Sequence, residues 1–125
     1  MTPLLFAGIC AAGGLGAALR FILDGIIKAR TQISYPVGTT FINVTGSLLL
    51  GIVTGMAATL LLPDPARLII GTGLLGGYTT FSTASFETIR LAQEHRVLPA
   101  LANGLGMLIL STIAAAAGYL VGTLL

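Results

Sequence analysis

Four long apolar segments, three of them without a single charged residue, dominate this 125-residue chain. They cover residues 4–23, interrupted only by Arg20, then residues 37–62, 68–86 and 97–125. A helix needs about 20 apolar residues to cross the hydrocarbon of a bilayer. Within hydrocarbon every main-chain polar group must be paired, and a helix does this inside one segment. Each segment is therefore expected to form a membrane-spanning helix, giving an all-α, polytopic domain over residues 1–125. The connections, residues 24–35, 63–67 and 87–96, are short. Pro63 and Pro65 punctuate the second, where helix continuation would fail. No room remains for a second domain.

The composition excludes several other classes. Only 8% of the residues are charged and 55% are hydrophobic, whereas an ordinary soluble domain is about 25% charged. There is too little polar surface to cover a soluble sphere. The net charge of +2 comes from six basic and four acidic residues. The basic residues do not form the clustered face that a nucleic-acid binder needs. Cys10 is the only cysteine, so no disulfide forms within the chain, and the residue is expected to pack as a small hydrophobe. No His, Cys and Asp cluster has zinc-ligand spacing. No Lys or Arg precedes the first apolar run, so it is taken as the first membrane helix and not a cleaved signal. The chain is not expected to be an enzyme.

Four helices of this size leave little interior for a hydrated path, so transport through such a chain calls for a second subunit. Seventeen glycines favour close helix contacts. Gly51 with Gly55, and Gly118 with Gly122, form small-xxx-small pairs of the kind that let membrane helices approach. They serve packing either within one subunit or between two.

The third segment holds the most polar chemistry. Gly76 and Gly77 sit at its middle, and Thr79, Thr80, Ser82, Thr83 and Ser85 follow closely. Glycine weakens a helix by about 1 kcal/mol, and β-branched Thr is also poor. Such a stretch at mid-membrane depth is a candidate for a broken helix, tolerated only where protein or a polar cavity covers it. Freed carbonyls there can hold a cation, and freed N–H groups an anion. The alternative is an intact helix whose hydroxyls bond back to their own carbonyls.

The second segment carries a matching stripe of Thr40, Asn43, Ser47 and Thr54 on one helical face. Asn43 must find partners in hydrocarbon, either as glue between helices or as a donor to a solute. No Asp or Glu lies within the apolar segments, which disfavours proton-coupled export and cation translocation. Hydroxyls, amide N–H groups and the positive edges of Phe rings can all attract an anion. Weak neutral donors allow a small anion both to enter and to leave. Arg20, near a helix end, either raises anion concentration at a mouth or snorkels as an anchor. Composition and spacing reach a small-anion pathway and stop there.

At these residues the chain resembles the Fluc (CrcB-type) fluoride channel family, nearly end to end. The run from Gly13 to Phe21 looks like the family's G-x-G-A-x-x-R-[YFW] pattern. The run from Gly38 to Asn43 looks like G-T-x-x-x-N. The run from Gly76 to Thr83 looks like G-G-x-T-T-F-S-T, the most specific of the three. The resemblance implies a dual-topology channel in the bacterial plasma membrane, made of two antiparallel subunits with pores along their interface. It implies a third helix broken mid-membrane, with a structural sodium ion held by the main-chain oxygens of Gly76 and Thr79. It implies that Asn43 and Phe81 line the pore, that Thr80, Ser82, Thr83 and Ser111 belong to a polar track, and that Arg20 lies near a vestibule. The implied role is passive fluoride efflux, which lowers cytoplasmic fluoride.

One departure concerns the aromatic rings. The family pattern has a second Phe three residues after the first, and here that position is Ala84. Phe86 would point about 200° away on an intact helix, at 100° per residue, so it replaces the missing ring only where the backbone is irregular. Two other classes compete. A small multidrug-type antiparallel transporter would need a mid-helix Glu in the first span and several aromatics. This chain has neither that acid nor any Trp. A non-conducting membrane subunit explains the hydropathy but not the ordered motifs. Whether the partner is a second copy or an inverted homologue stays open at the level of sequence.

Overall fold

The computed structural model describes residues 1–125 and is helical almost throughout. Helix α1 spans Pro3–Arg30 and α2 spans Val37–Ala58. Helix α3 covers residues 64–78 and α4 covers Ser82–Gln93. Helix α5 spans Val97–Leu124. Three of these, α1, α2 and α5, are each long and apolar enough to cross a membrane. The third apolar segment is divided between α3 and α4. The chain is a multi-pass membrane protein.

Local chemistry sets the helix ends. The Thr2 hydroxyl accepts the Leu5 N–H at 3.1 Å, and Pro3 opens α1 where no N–H is needed. Beyond the apolar run, α1 continues to Arg30. Lys28 pairs with Asp24 at 2.8 Å one turn apart, and Lys28 and Arg30 complement the negative end of the helix dipole. Helices α2 and α4 both end in a left-handed residue that is not glycine, Leu60 at φ 61° and His95 at φ 59°. Leu60 donates to the Ala57 carbonyl and Leu61 to Met56; His95 donates to Ala92 and Arg96 to Leu91. Each end is thus a Schellman motif, which satisfies the last carbonyls before the chain turns.

Two seams hold the bundle together. Helix α2 packs against α5, and α1 packs against α3. In the first seam a Cβ on Gly51 would collide with the Ala115 carbonyl, and one on Gly118 with the Leu48 carbonyl. Gly55 meets Tyr119 and Gly122 meets Ile52 in the same way. These small-residue pairs therefore bring backbones together within one chain, where lipid supplies no hydrophobic drive. In the second seam Gly16 faces the Leu74 carbonyl, and Gly77 faces that of Gly13. Residues 68–75 run as a π-helix, a widened geometry often found at functional positions.

Little of the molecule is covered. Only 18 of 125 residues are buried, and Phe6, Phe21, Leu60, Leu98 and Leu124 are among many large apolar side chains left outside. Such a surface suits hydrocarbon, not water. Cys10 is on this outer surface, which corrects the expectation that it packs inside the chain.

Candidate functional site

The site is built around the gap between α3 and α4. Helix α3 ends at Tyr78, Thr79 is extended at φ −77° and ψ 161°, and helix resumes at Ser82. The glycines are not where the path breaks. Gly76 and Gly77 remain helical, because Gly77 is needed for its close approach to α1. The threonines that follow leave the helix. The Thr79 N–H and hydroxyl both donate to the Leu75 carbonyl, each at 3.0 Å.

Asn43 on α2 holds the gap in place. Its Oδ1 accepts the Thr80 N–H at 2.8 Å, and its Nδ2 donates to the Thr80 carbonyl at 2.8 Å. The carboxamide thus pairs with both main-chain groups of one unwound residue, as a neighbouring strand would. Nδ2 also donates to Met107 Sδ on α5 at 3.0 Å. The Thr80 hydroxyl accepts the Thr83 N–H at 3.1 Å and donates to the Thr83 hydroxyl at 3.1 Å. It caps the start of α4, where orphan N–H groups need acceptors. Ser82 lies 3.4 Å from the same hydroxyl.

The other end of the gap is capped by charge. Arg20 on α1 donates from Nε to the Gly77 carbonyl at 3.2 Å. A guanidinium there complements the negative end of α3. The carbonyls of Gly76 and Thr79 receive no main-chain N–H. Oxygens of this kind, at an unwound helix end, suit a hard monovalent cation, so the two positions fit the sodium site the resemblance implies.

A cavity of about 540 Å³ opens beside the gap. Asn43 and Ser47 line it from α2, Thr79, Thr80 and Phe81 from the gap, and Asn103, Met107 and Ser111 from α5. The Ser111 hydroxyl is buried without a partner, so its proton is free to donate. Phe81 is 87% exposed. Its ring is held by no other part of the chain, while its carbonyl accepts the Ser85 N–H and hydroxyl. Asn43, Thr80, Phe81 and Ser111 therefore meet at one cavity. Ser82 and Thr83 stand beside it, bonded to Thr80 but not lining it. Thr40 and Thr54 bond back to Pro36 and Leu50 carbonyls and take no part.

Among the cavity residues with no counterpart among the expected ones, Asn103 and Met107 stand next to the Asn43 clamp and the missing ring. Asn103, 1% exposed, donates to the Ala84 carbonyl at 3.1 Å and to the Thr88 hydroxyl at 2.9 Å. It anchors α4 to α5 where the second Phe is missing. A carboxamide in an uncharged apolar segment demands partners, and the reasoning that singled out Asn43 would have found Asn103 had it been applied there. Met107 carries no such signal, since a thioether reads as an apolar side chain until its neighbour is known.

A second polar group lies toward the α1–α2 connection. The Thr39 hydroxyl donates to Glu87 Oε1 at 2.9 Å. Burial pushes the Glu87 carboxyl above its ordinary value and nearby Asp24 adds to this, while the Thr39 bond, Lys28 and Arg90 oppose it. A cavity of about 360 Å³ opens there, lined by Lys28, Glu87 and Arg90 among others.

Comparison with known proteins bears directly on this arrangement. The family described as CrcB-like protein, Camphor Resistance (CrcB), matches residues 7–119. The fluoride-specific ion channel FluC 1 of Leifsonia xyli subsp. xyli is 52% identical over 124 residues, covering 99% of this chain and 90% of that protein. The fluoride-specific ion channel FluC 2 of Mycobacterium tuberculosis is 40% identical over 118 residues, covering 94% and 90%. The fluoride-specific ion channel FluC of Aquifex aeolicus is 39% identical over 115 residues, covering 91% and 93%. A match that runs through every helix, with the gap and its Asn43 clamp inside it, leaves one assignment: this chain belongs to the CrcB family.

Proposed function

We propose that this chain is a fluoride-selective channel subunit that lets fluoride leave a bacterial cell passively across the plasma membrane. The observation that carries the reading is the cavity itself: Asn43, Phe81 and Ser111 offer an amide, a ring edge and a hydroxyl, and no carboxylate lines it. The names of the relatives supply the ion. Neutral donors bind a small anion without trapping it. Hydrogen fluoride, a neutral weak acid, diffuses inward and dissociates at cytoplasmic pH, and a passive pore then releases the trapped anion down its gradient.

The working unit in this reading is an antiparallel dimer with the third pass broken at mid-membrane depth. The exposed Phe81 ring and the open side of the cavity support it, because a second subunit would complete the wall. A sodium ion held by the Gly76 and Thr79 carbonyls would supply positive charge beside the gap and fix the unwound backbone. Asn43 orients Thr80, and Arg20 holds the Gly77 carbonyl away from the path. The small multidrug-type transporter finds no support. The acids of the chain are Asp24, Asp64, Glu87 and Glu94; each carries a Lys, Arg or Thr partner and none lines the cavity.

The test is fluoride efflux from liposomes holding only this protein, with chloride as the control. Fluoride release without chloride release is expected. Replacing sodium by a large organic cation should lower the flux or loosen the dimer. Equal release of both anions, or of neither, would overturn the reading.

A further inference from the structure

The Asn43 side chain carries two Nδ2 protons, and both are in use. The orientation of its amide is fixed, because Thr80 presents an N–H that needs an acceptor and a carbonyl that needs a donor. One proton is therefore committed to Thr80. The other points to Met107 Sδ at 3.0 Å. Asn43 and Met107 are 8% and 5% exposed, and both line the cavity beside the gap. The donor that a passing anion would use is thus already occupied, by a weak thioether acceptor.

We propose that Met107 determines anion affinity in this chain by acting as a displaceable stand-in acceptor. With the site empty, its sulfur satisfies an amide proton that would otherwise be buried unpaired. An arriving fluoride is a charged and far stronger acceptor, and it takes the proton from the thioether. Met has three rotatable bonds and a soft sulfur, so it withdraws without disturbing the Thr80 clamp. The thioether lowers the net gain on binding and so speeds release. Leu at 107 would fill similar space but leave the proton unsatisfied until an anion arrives. Gln would offer a strong carbonyl acceptor that competes with the anion.

This rests on the channel reading above, and the test separates the two. In liposomes, Met107→Leu should lower the fluoride concentration for half-maximal flux about fivefold, since an unpaired buried donor is costly. Met107→Gln should raise it. A packing defect would move both variants the same way, so movement in one direction, or none, overturns the proposal. Wild-type protein that passes no fluoride would instead defeat the channel reading. The stand-in is then read alone by titrating ¹⁵N-labelled wild-type protein in detergent with sodium fluoride. The Asn43 side-chain amide resonance should shift with fluoride and not with chloride. A resonance that stays put overturns the proposal whatever the flux shows.

Discussion

Single side chains decide both the shape of the gap and what it can hold. Asn43→Asp keeps an acceptor for the Thr80 N–H but sets a carboxylate against the Thr80 carbonyl, which now has a donor at 2.8 Å. The change should cost about 1–3 kcal/mol of stability, seen as a lower melting temperature in detergent. It should also abolish fluoride efflux, because the anion would meet a negative charge. Phe81→Ile should be different in kind: the ring is exposed, so melting should hold while efflux falls. Undiminished efflux from either variant would remove that residue from the path. Glu87 gives a pH-dependent case. Its folded pKa lies above the usual 4.5, chiefly through burial, so the folded state binds its proton more tightly than the unfolded chain. Its neutral form favours folding. The Glu87 contribution to stability is therefore full below 4.5 and is lost as pH rises from 4.5 through the raised value. Glu87→Gln keeps an acceptor for Thr39 and should flatten that part of the melting-temperature profile. A profile identical to wild type would show that the carboxyl titrates unperturbed.

At the scale of helices, the ends carry a cost that can be removed. Leu60 and His95 hold left-handed backbone that favours glycine, at about 1–2 kcal/mol each. Leu60 is also 89% exposed, so its side chain gives little in return. Leu60→Gly should raise the melting temperature, and a drop would mean that the side chain packs in the membrane-embedded form. The helices also mark how far sequence carries. The apolar segments, their number and their order were legible, because spanning a bilayer imposes a length and an apolar surface on each. Helix ends were less so: α1 runs on through a charged stretch because the Asp24–Lys28 pair and the dipole favour it. The weak stretch after Gly76 pointed to the right region, but the helix opens after Tyr78. Gly77 is held helical by its contact with Gly13, and Thr80 is held open by Asn43 from another helix. Neither contact is local, and composition weighs only local preference. Asn103 was within reach by the same reasoning that found Asn43. Met107 was not, since only the folded chain shows that its sulfur faces an amide.

The whole molecule raises the question of which way the chain sits in the membrane. Arg96 donates to the Ser34 carbonyl at 3.3 Å, which ties the connection after α1 to the connection before α5. These two connections therefore share one face of the bundle, with Lys28, Arg30, Arg90 and Arg96 on or beside them. Arg67 lies at the start of α3, on the face that the termini share. Arg20 counts for neither face, since it is inside α1 and bonded to Gly77. Lys and Arg in short connections mark the cytoplasmic side, and four against one favours a single orientation with both termini outside. A chain that inserts both ways would be expected to carry almost no such bias. In the cell an antiparallel dimer would then pair this chain with an inverted, homologous partner, and Ala84 fits that pairing because the partner could bring the aromatic ring this chain lacks. Purified chain put into liposomes is free to insert both ways and pair with itself. The measurement is cysteine labelling of this chain expressed alone in a Cys10→Ala background. One new cysteine is placed in the connection after α1 and, in a separate variant, one in the connection after α2. An impermeant reagent applied from outside should label the second and spare the first. Equal labelling of the two would mean insertion both ways, and a homodimer would then suffice.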